Sequence, residues 1–334
     1  MLSSDADCIY WLGRYIERAE NVARFVDVNL HLMLDLPGES LAQHWEALVT
    51  TSGDSGLFHS RYDAPSREHV IHFLTFDREN PNSIQSCLFK ARENARVIQE
   101  VITSEMWEQV NTFFLMVRGA ATGGQALHDT REFFSQVRMA SHLFDGITDA
   151  TMSRGEAWHF LRLGRCMERA DKTSRILDVK YFLLLPSMSY VGTPYDDIHW
   201  GALLRSASAF EMYRKRFGRL EPERIVDFLL LDRDFPRAVH FCLLRADESL
   251  HAISGTPSGT FRNVAEQRMG QVRAELSYAE VREIIRSGLH EFVDALQSKL
   301  NHVGEAIQDT FFAVPPPEPL TGDAAGGTSA AGNA

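Results

Sequence analysis

Leu12-Gly13-Arg14-Tyr15-Ile16-Glu17-Arg18-Ala19-Glu20, followed by Arg24 and Asp27, returns 151 positions later as Leu163-Gly164-Arg165-Cys166-Met167-Glu168-Arg169-Ala170-Asp171, followed by Arg175 and Asp178. Around the first copy Leu12, Ile16, Ala19, Ala23, Val26, Leu30 and Met33 recur at three- and four-residue steps. Around the second, Leu163, Met167, Ala170, Ser174, Leu177, Tyr181 and Leu184 do the same. That spacing draws one stripe along an α-helix. It predicts a helix over 5–36, ended by Pro37-Gly38, and another over 156–185, ended by Pro186. Ser4 and Ser153 each stand three residues before an acid, Asp7 and Glu156, the pairing that caps helix starts.

The duplication extends further. At an offset of 155, Trp45 matches Trp200, and Phe73-Leu74-Thr75-Phe76-Asp77-Arg78 with Pro81 matches Phe228-Leu229-Leu230-Leu231-Asp232-Arg233 with Pro236. Each proline suits the first position of a new helix, where its missing N–H costs nothing. Cys87 then pairs with Cys242 and Ala91 with Ala246. A thinner third block sets Glu132-Phe133 against Glu291-Phe292, and His142, Ile147 and Asp149 against His302, Ile307 and Asp309. Gly119–Gly124 and Ser254–Gly259 are expected to be flexible interruptions, and no alternating run marks a strand. These features predict an all-α fold, a duplicated helical bundle with two pseudo-symmetric halves at 1–150 and 151–312. Pro315-Pro316-Pro317 and a Gly/Ala/Ser run to Ala334 predict a disordered tail over 313–334.

Of the 334 residues, 44% are hydrophobic and 24% charged, the balance of a globular chain with two core-sized halves. The net charge of -11 argues against a phosphate-backbone binder, so nucleic acid is not expected as a partner. The N-terminus is acidic where a signal peptide is basic, and no run approaches the roughly 20 apolar residues of a membrane span. The four cysteines form no CxxC pair, which suits a reducing cytoplasm and no structural metal.

On a helical wheel Arg14, Glu17, Arg18, Asn21 and Arg24 share an arc of roughly 120° opposite the apolar stripe. Arg165, Glu168, Arg169, Lys172 and Arg175 share the same arc in the second copy. One reading is a solvated face with pairs such as Arg14 with Glu17 and Glu20 with Arg24, worth a few tenths of a kcal/mol each. Surface pairs seldom need fixed identity, so retention of the charges favours a buried interface or a ligand site. Glu93, in Arg92-Glu93-Asn94-Ala95-Arg96, matches Glu248, and Glu17, Glu93, Glu168 and Glu248 form a candidate acidic set.

Glu156 with His159 and Glu248 with His251 fit the Glu-x-x-His spacing of dimetal bundles. The two histidines do not match under the duplication and Glu156 already serves as a cap, so no metal is expected. GxGxxG, P-loop, HExxH and GxSxG motifs are absent, and no cofactor is expected. Cys87 and Cys242 sit in apolar helical surroundings, as inert buried thiols do.

Tyr10-Trp11-Leu12-Gly13-Arg14-Tyr15-Ile16-Glu17-Arg18-Ala19-Glu20-Asn21, Ala91-Arg92-Glu93-Asn94-Ala95-Arg96, Thr151-Met152-Ser153-Arg154-Gly155-Glu156 and Leu163-Gly164-Arg165 resemble the bacterial alpha-E family. The likeness runs from Met1 to about Ile253 and more loosely to Phe312. It implies an entirely helical protein encoded beside a circularly permuted ATP-grasp ligase, a transglutaminase-like cysteine protease and sometimes a proteasome-like peptidase. It also implies a role in handling a peptide through carboxylate–amine ligation. The residues carried over are Arg14, Glu17, Arg18, Glu93, Asn94, Ser153, Arg154, Glu156, Glu168 and Arg169. Where the family opens Leu-Ser-Arg this chain has Leu2-Ser3-Ser4, which would impair a first half-site while Ser153-Arg154 stays competent.

Two functions follow. The chain is either a helical partner that presents a peptide to the ligase, its arginines clamping carboxylates and its glutamates meeting amines, or an enzyme with Glu17 or Glu168 as general base. The candidate ligand-binding residues are Arg14, Arg18, Arg24, Glu93, Asn94, Arg154, Glu156, Arg165, Arg169 and Arg175. The first is favoured, since no nucleophile–base signature is present.

Overall fold

The computed structural model describes residues 1–34, 41–123, 129–183 and 194–313. Within them the chain forms fifteen α-helices and no strand. They are α1 (Ser3–Leu34), α2 (Leu41–Ser52), α3 (Ser55–His59), α4 (Arg67–Thr75), α5 (Ile84–Val97), α6 (Ser104–Gly123), α7 (Thr130–Thr151), α8 (Glu156–Leu183), α9 (Pro194–Ser206) and α10 (Phe210–Phe217). Next come α11 (Pro222–Leu230), α12 (Val239–Ser254), α13 (Val264–Tyr278), α14 (Val281–Ser287), α15 (Leu289–Ile307) and a π-helical turn, Gln308–Phe312.

The two repeated helices, α1 and α8, form the centre and pack on each other. α5 and α7 lie against α1, α12 and α15 lie against α8, and α6 and α13 form an outer layer. Leu12, Ile16, Ala19, Ala23 and Val26 of α1 are buried, as are Leu163, Met167, Ala170 and Leu177 of α8. They join one continuous core drawn from both halves of the sequence. Leu30 is only half-buried.

α1 starts ahead of its expected cap, so Ser4 lies inside the first turn with its hydroxyl 3.5 Å from Asp5. Pro81 and Pro236 sit in turns before α5 and α12 rather than at a first helical position. In the first turn Asn80 accepts from the Asn82 backbone N–H at 2.9 Å, and Ser83 then caps α5 through the Ser86 N–H. The stretch from Gly119 is helical as far as Gly123, because α6 runs through it. Gly255 does end α12, at φ 68°, a left-handed conformation glycine adopts freely. The expected stops at Pro37-Gly38 and Pro186, and the expected tail beyond Ala313, lie outside the described residues.

Candidate functional site

α1 and α8 cross at Gly13 and Gly164. A Cβ on Gly13 would stand 2.5 Å from the Leu161 carbonyl oxygen, and one on Gly164 would drive into the Tyr10 carbonyl oxygen. Only glycine lets the backbones approach so closely. One turn further along each helix, the two Glu-Arg dipeptides meet reciprocally. Arg18 grips Glu168 with Nε at 2.6 Å and Nη2 at 2.8 Å, and Arg169 grips Glu17 with Nε at 2.9 Å and Nη2 at 2.6 Å. Each is a two-pronged guanidinium–carboxylate pair, the stronger geometry for this contact. Glu17 is 1% exposed and Glu168 0%, which excludes the solvated-face reading of the arc.

Further charges enclose this pair of bridges. Arg14 donates from Nε to Glu168 at 2.9 Å, so its partner is on α8 and not the expected Glu17. Arg237, in the turn before α12, donates to Glu17 at 3.0 Å, to Asn21 at 2.9 Å and to Glu20 at 2.6 and 2.7 Å. Arg24 also pairs with Glu20, as expected. Beside Glu168, Arg175 Nε lies 3.0 Å from both Asp171 oxygens, and Lys172 Nζ lies 3.3 Å from Asp171 and 3.8 Å from Glu168. Arg18 donates from Nη1 to Asn82 at 2.5 Å, and Asn82 donates on to Asp54 at 2.9 Å. Arg165 leaves the bridges for Asp145 at 2.7 Å.

Burial alone would raise these carboxyls, and the surrounding cations outweigh it. Arg18 and Arg14 hold Glu168 well below the usual range, Arg169 and Arg237 lower Glu17, Arg237 and Arg24 lower Glu20, and Lys172 and Arg175 lower Asp171. Their folded values lie below their unfolded ones. The stability they contribute is therefore complete above the unfolded carboxylate range near about pH 4 and is lost progressively as pH falls below it toward the lowered folded values. The urea midpoint is expected to hold from about pH 7 to about pH 5 and to drop steeply below about pH 4. A midpoint that stays level well into the acid range would contradict the bridges.

The other candidates do not join this network. Glu93 is half-buried on α5 and pairs with Arg92 and Arg96, while Asn94 donates to the Cys8 carbonyl at 3.2 Å. Glu248 pairs with Arg162 and Arg245, so the acidic set divides into two buried members and two outer ones. Arg154 is exposed, pairs with Asp149 at 2.9 Å and lies over the Trp158 ring. Glu156 is exposed, 2.8 Å from the Met1 amino group. Its Glu-x-x-His partner His159 lies 3.5 Å from Ser249, and His251 lies 3.5 Å from Asp247. Among the described residues no group of three or more His, Cys, Asp or Glu is placed to hold a metal. Burial pushes the Cys87 thiol up to about 11 and Cys242 higher, as an unreactive thiol requires.

Beside the bridges a cleft of about 760 Å³ opens between α1, α8, α15 and the turn after α2. It carries four cations, Arg14, Arg18, Lys172 and Arg175, and four carboxylates, Asp54, Asp171, Glu305 and Asp309. Trp11 forms part of its wall, and the Arg14 guanidinium lies 4.8 Å from that ring's centre. Arg14 Nη2 and both terminal nitrogens of Arg175 have no hydrogen-bond acceptor among the described residues.

Sequence reading missed Arg237 and Asn82. They stand in register at the same 155-residue offset, but they are different residue types and so escape a search for identity.

Residues 1–312 match the Alpha-E model, described as a predicted alpha-helical domain with a conserved ER motif, and the chain belongs to that family. It is similar to the uncharacterized protein Mb2597 of Mycobacterium bovis and the uncharacterized protein Rv2567 of Mycobacterium tuberculosis. Each is 22% identical over 336 residues, covering 92% of this chain and 36% of the relative. The chain thus spans about a third of the length of these relatives. No solved structure matches it significantly. Among the described residues no helix is long and apolar enough to cross a membrane.

Proposed function

We propose that this Alpha-E chain is a helical accessory module that holds a peptide by its carboxylate and presents it to an ATP-grasp ligase joining carboxylates to amines. A transglutaminase-like protein would act beside it. The partnership rests on the family resemblance, and the peptide-holding role on one structural contrast. The Glu-Arg carboxylates are consumed in buried bridges, while Arg14 and Arg175 keep donors unused beside an open cleft. A general base works best with a pKa near the operating pH and within reach of its substrate. Glu17 and Glu168 are buried and lowered, so they suit locking two helices better than exchanging protons. We take Glu17-Arg18 and Glu168-Arg169 to be the family's ER motif. The halves 1–150 and 151–312 are read as a duplication, supported by the reciprocal pairing of their first helices. The four free thiols fit a reducing cytoplasm, where we place the protein.

The expected result is co-purification with the neighbouring ligase and a lower ligase KM for its peptide when this chain is present, an effect lost in Arg175→Gln. No association at micromolar concentration, or turnover by the isolated chain, would overturn the proposal.

A further inference from the structure

The third repeat block runs at a constant offset of 160 from His142/His302 to Asp149/Asp309, which sets Asp145 against Glu305 and Phe144 against Gly304. Under the first block's offset, Arg165 corresponds to Arg14. Beside α8 these residues close the structure, since Asp145 meets Arg165 at 2.7 Å and Phe144 is buried. Beside α1 the same positions stand open. Glu305 has no ion partner among the described residues, Arg14 retains an unused nitrogen, and a Cβ on Gly304 would meet nothing within 4 Å. Arg14, Gly304 and Glu305 instead line the cleft.

We propose that a bound zwitterion, a short peptide with both termini free, fills this opening. Its carboxylate would lie on Arg14 and Arg175, and its ammonium on Glu305 and Asp309. This rests on the reading of the cleft as the peptide-holding site and adds what the site recognises. The charge balance selects the class. The four cations and four carboxylates of the cleft sum to zero, so a polyphosphate loses on the α15 wall what it gains on the α1 wall. A molecule carrying both charges satisfies both walls, and the unblocked termini supply them irrespective of side chains.

Isothermal titration of the full chain with tri-alanine, N-acetyl-tri-alanine, tri-alanine amide and pyrophosphate tests the proposal. Tri-alanine is expected to bind, and each blocked form to bind at least about tenfold more weakly, or about 1.4 kcal/mol. Glu305→Gln should weaken tri-alanine about tenfold and leave the acetylated form unchanged. Gly304→Phe should abolish binding without lowering the melting temperature, because its side chain enters open space on a helix. Equal binding of the free and acetylated forms overturns the zwitterion while leaving the carboxylate-holding module standing. Tighter binding of pyrophosphate also overturns it. Binding by none of the four probes overturns both readings.

Discussion

Glu168→Gln is expected to lower the unfolding free energy by about 3–5 kcal/mol, the effect of removing one partner from a buried ion pair. The carboxylate is fully buried and takes three hydrogen bonds from Arg14 and Arg18, with Lys172 3.8 Å away. An amide keeps one good acceptor and turns its NH2 toward guanidinium donors, so two part-buried arginines lose their compensating charge. Glu93→Gln makes the control, since that half-buried surface pair is worth about 1 kcal/mol or less. In the double variant Glu168→Gln/Arg18→Met, the second change should recover part of the loss by removing a stranded charge. Urea unfolding measures all three. A Glu168→Gln chain within about 1 kcal/mol of the parent would show that the bridge does not lock the helices.

The helices were legible where periodicity carries them. The expected span of α8 begins at Glu156, as observed, and the span of α1 is off by two residues at its start. The apolar stripe recovered only one of the faces that α1 buries. A charged arc has the same wheel whether it faces water or a second charged helix, so the stripe could not separate them. Retention of the charges in both copies favours the buried arrangement, because solvated pairs place little demand on identity, and the burial of Glu17 and Glu168 decides it. The starts of α5 and α12 were misplaced for a local reason. Side chains in each preceding turn bond the backbone in place of helix, Asn80 accepting from Asn82 just after Pro81 and Asp232 accepting from Asp234 and Phe235 just before Pro236.

The flanking positions of the network hide from a search for repeated residues, because Asn21 matches Lys172 and Asn82 matches Arg237. In one cluster the position after α1's Glu17 and Glu20 is the neutral Asn21, and the extra cation comes from Arg237 ahead of α12. In the other cluster the matched position is Lys172, which supplies the cation itself, and the place of Arg237 is taken by the neutral Asn82. Each cluster holds two carboxylates and one such flanking cation, with its source exchanged. Glu93 and Glu248 show the converse. They repeat faithfully and remain outer residues, each held by a nearby arginine three positions away on its own helix.

Gly164→Ala is expected to destabilise the chain by more than about 3 kcal/mol, against an intrinsic helix-propensity gain of about 1 kcal/mol. The new methyl would overlap the Tyr10 carbonyl oxygen, a backbone atom that no rotamer change can move. Relief requires α1 and α8 to separate by roughly 1 Å, and the bridges beyond the crossing cannot follow. Arg18 to Glu168 and Arg169 to Glu17 both include contacts of 2.6 Å in a buried site, where lengthening forfeits the hydrogen bond and leaves the charges poorly compensated. The overpacking penalty of about 1–3 kcal/mol therefore adds to a loss at the bridges. Gly13→Ala should act alike, because its Cβ would meet Leu161 and Arg165 backbone atoms. Gly146→Ala is the internal control, an exposed helical glycine on α7 whose Cβ meets nothing within 4 Å, and it should gain up to about 1 kcal/mol. The opposite signs at Gly164 and Gly146 separate a close crossing from helix propensity. A stabilised Gly164→Ala would mean that the helices do not touch there, and the reciprocal Glu-Arg pairing that depends on their approach would fall with it.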